Sequence, residues 1–146
     1  MNADSLTIMP GLPGGTLAAI PAKAEAHRAL IAAALADRPT LVQGLSGELS
    51  ADISATLQVL TALGATLEST SNGLRVLPLK SIPDLACADC GESGSTLRFI
   101  LPVIAARAGR GQEITLCGRG RLPERPRKEL LSALRQHGVM VEPDSL

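Results

Sequence analysis

Apolar and polar positions alternate along this chain on two periods, and the period switches several times. Thr16 to Ile20 is a short apolar run that reads as a strand. Lys23 to Ala36 is rich in alanine and leucine and stops before Asp37-Arg38-Pro39, so it reads as a helix. Thr40 to Gln43 is a second strand. Ser50 offers a hydroxyl cap, Asp52 falls in the first turn, and Ile53, Leu57, Leu60 and Leu63 follow helical spacing until Gly64. Ala65 to Glu68 and Leu74 to Pro78 flank a segment containing Asn72-Gly73, a turn pair that predicts a hairpin.

The order then restarts. A strand from about Leu85 reaches Cys87, a helix runs from about Ser93 to Ala108, a strand spans Glu113 to Cys117, a helix runs from Pro126 to His137, and Val139 to Glu142 is a strand. Leu60-Thr61-Ala62-Leu63 resembles Leu131-Ser132-Ala133-Leu134, and the residues that follow match in kind, which indicates a long-period internal repeat. The expectation is an α/β chain with a lead-in over 1–15, a first βαβαββ unit over 16–80 and a second over 81–146. That second unit stops before its last strand, as in a portion of something longer.

With 146 residues and 45% hydrophobic content, the chain has enough apolar side chain for one core. Formal net charge is zero and Phe99 is the one aromatic residue, so stacking platforms for single-stranded nucleic acid are missing. No apolar run approaches membrane-spanning length and the first residues do not read as a signal peptide, so the expected location is cytoplasmic, with no membrane partner. Three cysteines in such a chain read as reduced thiols.

The chemistry concentrates in Asp89-Cys90-Gly91-Glu92-Ser93-Gly94-Ser95-Thr96-Leu97-Arg98. Small, donor-bearing residues stand directly before an apolar helix, whose free N–H groups and dipole favour an oxyanion, and Arg98 adds a fixed charge one turn in. Lys23 with Arg28, and the basic stretch from Arg119 to Lys128, are two further cationic segments. Together they suit phosphate or carboxylate ligands. Each has a plainer explanation, as a capped turn, an exposed helix start or a solvated basic loop. No Gly-Lys-Ser/Thr ending marks a P-loop, and Gly118-Arg119-Gly120 lacks the third glycine of a dinucleotide fingerprint. Cys87 and Cys90 form a C-x-x-C pair, but an odd spacing in an extended segment points the thiols to opposite faces, so packed, inert thiols are the better reading than zinc or redox chemistry. Neither His27 nor His137 reads as catalytic.

Three of these segments carry a family resemblance. Ile20 to Leu30 resembles the proline, serine, lysine, serine segment with a following arginine near the start of 5-enolpyruvylshikimate-3-phosphate (EPSP) synthases. Asp89 to Arg98 resembles their glycine-rich segment, and Glu124-Arg125-Pro126 their third basic motif. The resemblance implies repeated βαβαββ units of an inverse α/β barrel. It also implies transfer of the enolpyruvyl group of phosphoenolpyruvate to the 5-hydroxyl of shikimate 3-phosphate by addition and elimination, without metal or cofactor, in the route to the aromatic amino acids.

Carried over, Lys23 is the catalytic candidate and contacts phosphoenolpyruvate. Arg28 contacts shikimate 3-phosphate, Gly94 lines the phosphoenolpyruvate pocket where glyphosate binds in sensitive members, and Arg125 binds phosphoenolpyruvate. Ser95 and Arg98 complete the substrate-binding set. Ala22 and Ala24 stand where the family has serines, and the family's acid/base carboxylates lie beyond residue 146, so the chain by itself is expected to be inactive. The sister enzyme UDP-N-acetylglucosamine enolpyruvyl transferase usually has a reactive cysteine five residues before the third-motif arginine, where this chain has Gly120. A noncatalytic phosphate-ligand or nucleic-acid binding module, and self-association through the edge of the unfinished repeat, are the readings of a different class.

Overall fold

The computed structural model describes residues 7–12, 14–16, 19–45, 47–84 and 86–142. Helix α1, Lys23–Leu35, forms from a run with high helix propensity and buries Ala26, His27, Leu30, Ile31, Ala33 and Ala34 on one side. It stops because Pro39 disfavours helical backbone at the preceding residue, and Ala36 is already extended. Strand β1, Thr40–Gln43, follows, then α2, Ala51–Ala62, whose start is fixed by the Ser50 hydroxyl accepting the Ile53 N–H at 3.4 Å.

Strands β2, Thr66–Thr70, and β3, Gly73–Leu77, make the expected hairpin and extend to within one or two residues of its turn. β3 lies in the middle of an antiparallel sheet of order β1-β3-β2, with Thr40 opposite Val76 and Thr66 opposite Leu77. Gly73 tolerates the tight junction because a side chain there would run into the Val42 carbonyl of β1.

The second half repeats helix and strand in the same alternation: β4, Cys87–Asp89; α3, Gly94–Arg107; β5, Thr115–Cys117; and α4, Lys128–Gln136. β4 and β5 pair in parallel, so the chain is a mixed α/β structure with one antiparallel and one parallel sheet. Helices α1, α2 and α3 pack on one another, with β1 and β3 against α1 and β4 against α2. Leu30, Val59, Leu60, Leu63, Val76, Ile100 and Leu122 are fully buried between them. Each such side chain contributes about 1.5–3 kcal/mol of transfer free energy.

Two expected strands are corrected. Thr16, Ala19 and Ile20 are not in a strand, while Leu17 and Ala18 lie outside the described residues, as does Leu85. Ile20 is exposed, and no ladder among the described residues holds it extended. Val139 to Glu142 is also irregular. The Val139 N–H turns back to the Leu134 carbonyl at 3.2 Å, and Arg135 donates to the Val141 carbonyl at 2.9 Å, so helix-end capping takes groups that a strand would pair. Among the described residues, no helix is long and apolar enough to cross a membrane.

Candidate functional site

The glycine-rich segment folds as its composition dictates. Asp89 closes the turn by accepting the Gly91 N–H at 2.7 Å, and its other oxygen meets the Arg119 guanidinium at 3.1 Å. The Ser93 hydroxyl then caps α3 by accepting the Thr96 N–H at 3.2 Å. The N–H groups of Gly94 and Ser95, in the first turn, have no acceptor within the helix and lie at the positive end of its dipole. Gly94 is buried, Ser95 is half-buried and Arg98 is exposed.

The loop after β5 is laced onto this turn. Cys90 N–H donates to the Cys117 carbonyl and Arg119 N–H to the Gly91 carbonyl, each at 2.8 Å. Leu122, fully buried, anchors the loop in the core. The result is that Arg125 lies directly over Gly94: a methyl group added to Gly94 would sit 2.8 Å from Arg125 Nη1 and 3.3 Å from its Cδ. Arg98 ties the same loop to α3 by donating to the Pro126 carbonyl at 3.1 Å.

The first segment comes in from α1. Lys23 is the first residue of that helix, after an Ala22 N-cap that supplies no side-chain hydrogen bond. Its ammonium meets Asp52, in the first turn of α2, at 2.6 Å. With the lysine side chain about half exposed, a pair of this kind contributes at most about 1 kcal/mol. It orients the lysine and leaves its remaining N–H donors to a ligand. Arg28 bonds the Ala24 carbonyl at 2.8 Å and stacks over Phe99 with its guanidinium 5.1 Å from the ring centroid, so the chain's one aromatic residue carries a cation on α3.

Contacts therefore link all three cationic segments around the first turns of α3. Arg125 touches Gly94, Arg98 reaches Pro126, Arg28 covers Phe99, and Lys23 is held by Asp52, whose carbonyl is 3.5 Å from the Thr96 hydroxyl. What sequence reasoning missed is the scaffold between them: the Asp52 and Asp89 ion pairs and a buried run of side chains, His27, Thr56, Thr96 and Ser93. Partners so far apart along the chain leave no local pattern to read.

Two features stand apart from this cluster. Cys90 is fully buried, and burial followed by the nearby Asp89 charge pushes its thiol up to about 12, so it stays protonated. Cys87, expected to be packed, is exposed, and its sulfur lies 3.8 Å from that of Cys117 rather than beside Cys90. A cavity of about 840 Å³ opens between α3, β5 and α4, lined by apolar residues such as Leu101, Ile104, Leu116 and Leu131, and none of the six candidate residues lines it.

The family model of EPSP synthase (3-phosphoshikimate 1-carboxyvinyltransferase) matches residues 14–145. A curated 3-phosphoshikimate 1-carboxyvinyltransferase of Clostridium beijerinckii is 34% identical over 143 residues, covering 92% of this chain and 32% of that protein. One from Brachyspira hyodysenteriae is 34% identical over 122 residues, covering 84% of this chain and 28% of its own length. Among solved structures, EPSP synthase from Acinetobacter baumannii superposes with a TM-score of 0.60 at 24% identity, over 79% of this chain and 26% of that one, a likeness of fold. The chain thus spans about a third of the length of the curated relatives it matches.

Proposed function

The chain belongs to the EPSP synthase family, and from that membership we propose that it serves the transfer of the enolpyruvyl group from phosphoenolpyruvate to the 5-hydroxyl of shikimate 3-phosphate. In that reaction the 5-hydroxyl gives up its proton as its oxygen bonds to C2 of phosphoenolpyruvate, and C3 takes a proton. Elimination then breaks the C2–O bond to phosphate, removes a proton from C3 and re-forms the C2–C3 double bond, releasing inorganic phosphate. The proposal gives Arg28 the phosphate of shikimate 3-phosphate, and gives Lys23 and Arg125 phosphoenolpyruvate, next to Gly94. Ser95 and the first-turn N–H groups supply neutral donors, and Arg98 adds positive charge at the same turn. Two ligands with several negative charges call for such a set of cations and preorganised donors in one place.

The observation that carries the reading is the Arg125 guanidinium lying over Gly94 at the start of α3, where a cation and the first-turn N–H groups of the helix coincide. The proposal extends to the architecture: two related units over 16–80 and 81–146, the second incomplete, of the βαβαββ kind found in an inverse α/β barrel, supported by the helix-strand-helix order common to both halves, with the opening strand of the first unit absent among the described residues. A cytoplasmic setting goes with it, as do the three free thiols. The 146 residues by themselves are proposed to bind substrate without turning it over.

An amide NMR titration tests this, using shikimate 3-phosphate, with inorganic phosphate and a short oligonucleotide as controls. Saturable shifts at Arg28, Gly94 and Arg98 that are selective for shikimate 3-phosphate are expected. Equal response to the oligonucleotide, weakening with salt, would replace the reading with a nucleic-acid binding module.

A further inference from the structure

His27 is completely buried where α1, α2 and α3 meet. Its Nδ1 is 2.7 Å from the Thr56 hydroxyl, Thr56 is 2.7 Å from the Thr96 hydroxyl, and Thr96 is 2.7 Å from Ser93 Oγ, the atom that caps α3. Among the described residues, His27 Nε2 is the one buried side-chain nitrogen or oxygen with no hydrogen-bond partner. So a hydroxyl chain runs from α1 through α2 to the turn that presents Gly94 and Ser95.

Proton counting orders this chain. Each hydroxyl has one proton to give, and each of the three short contacts needs one. If Nδ1 accepts, Thr56 must donate to it, Thr96 to Thr56 and Ser93 to Thr96, against the direction of the last contact, in which the Thr96 hydroxyl donates to Ser93 Oγ, and Nε2 carries a buried N–H without an acceptor. If Nδ1 carries the proton, it donates to Thr56, Thr56 to Thr96 and Thr96 to Ser93, and every contact is satisfied, the last in its observed direction. The unpartnered Nε2 is then a bare lone pair, the cheaper of the two defects, since orphaned buried N–H groups are the rarer kind.

We infer that His27 is a positioning residue: as a neutral Nδ1–H donor at the head of this chain, it holds α1, which carries Lys23 and Arg28, against the first turn of α3, which carries Gly94 and Ser95. The inference rests on the substrate reading above. The charged groups acting on the imidazole are Asp52 from α2 and Lys23 and Arg28 from α1, and α3 is linked to it through the Thr96 hydroxyl bonded to Thr56. Burial, the largest effect, lowers its pKa; Asp52 opposes that, and Lys23 and Arg28 add to it. A second proton would put an N–H at Nε2 with nothing to receive it.

The test uses the full chain and its His27→Leu and His27→Asn variants. An asparagine amide can place a donor near the position of Nδ1 and has nothing at Nε2, whereas leucine fills the space without a donor. Imidazole ¹⁵N shifts of the ligand-free protein are expected to show a neutral ring protonated at Nδ1. Titration with shikimate 3-phosphate, against inorganic phosphate, is expected to show His27→Leu weakened roughly fivefold, one hydrogen bond's net contribution, and His27→Asn within about twofold of the native chain. An Nε2–H tautomer, unchanged binding by His27→Leu, or His27→Asn as weak as His27→Leu overturns the inference while leaving the substrate reading intact. A native chain with the Nδ1–H tautomer that ignores shikimate 3-phosphate overturns the substrate reading, and the positioning role with it.

Discussion

Replacing Gly94 by alanine separates what its bare α-carbon does for the fold from what it does for Arg125. The new methyl would sit 2.8 Å from Arg125 Nη1, 3.3 Å from Cδ and 3.6 Å from Cζ. Comfortable carbon contacts start near 3.5 Å, so the guanidinium must retreat by roughly 0.7 Å. Nothing else crowds the position, because the nearest atoms all belong to one exposed, flexible side chain. The backbone is ordinary helix, and glycine to alanine inside a helix gains up to about 1 kcal/mol, less in the first turn. The urea midpoint should therefore stay level or rise, within about 0.5 kcal/mol. Phosphoenolpyruvate binding, read by titration calorimetry or amide shifts, should weaken by roughly tenfold or more, since a displaced charge-assisted hydrogen bond is worth about 1.5–3 kcal/mol. In an Arg125→Ala background the same methyl should add almost nothing. A stability loss above about 1 kcal/mol, or an equal loss of affinity without Arg125, would refute the reasoning.

Three further outcomes follow from the same structure. Gly73→Ala should cost about 2–3 kcal/mol in urea denaturation, because its side chain would meet backbone, the Val42 carbonyl and, at 2.9 Å, the Gln43 α-carbon, at a φ of 143°; a loss below about 0.5 kcal/mol contradicts the register of β1 and β3. Ala22→Ser should add roughly 1 kcal/mol by capping a helix start that has no side-chain cap, seen as a raised thermal midpoint, and no gain would mean that α1 begins elsewhere. His27 has a lowered pKa in the folded chain, so the unfolded chain binds its proton first as pH falls. Its contribution to stability is complete above the ordinary histidine value of 6.5 and is lost as pH drops from there through the folded value; a His27→Asn chain should lack that part of the acid slope, and an unchanged slope between the two counts against a neutral, buried ring.

The sequence by itself determined the parts of this protein that depend on neighbours along the chain. The Ser50 and Ser93 caps, the Asn72-Gly73 turn and β1 at Thr40–Gln43 all stand where local chemistry puts them. A cap or a turn satisfies its hydrogen bonds within a few residues, so the residues that make it are printed side by side. Of the six candidate residues, Gly94, Ser95 and Arg98 stood out by composition as an anion-binding helix start, whereas Lys23, Arg28 and Arg125 rose above other cations only through motif resemblance, because a lysine or arginine looks the same along the chain whether or not a ligand site lies beneath it.

Tertiary structure decided the rest. It denied strands at Ile20 and at Val139 to Glu142, since an apolar run becomes a strand only when a partner takes its N–H and C=O groups, and near Val139 the end of α4 takes them instead. It set Arg125 over Gly94, Lys23 against Asp52, and a histidine that reads as an ordinary helix residue at the head of a buried hydroxyl chain. Those contacts join residues from separate elements, and only the packing of α1, α2 and α3 around one core brings such groups within hydrogen-bond reach.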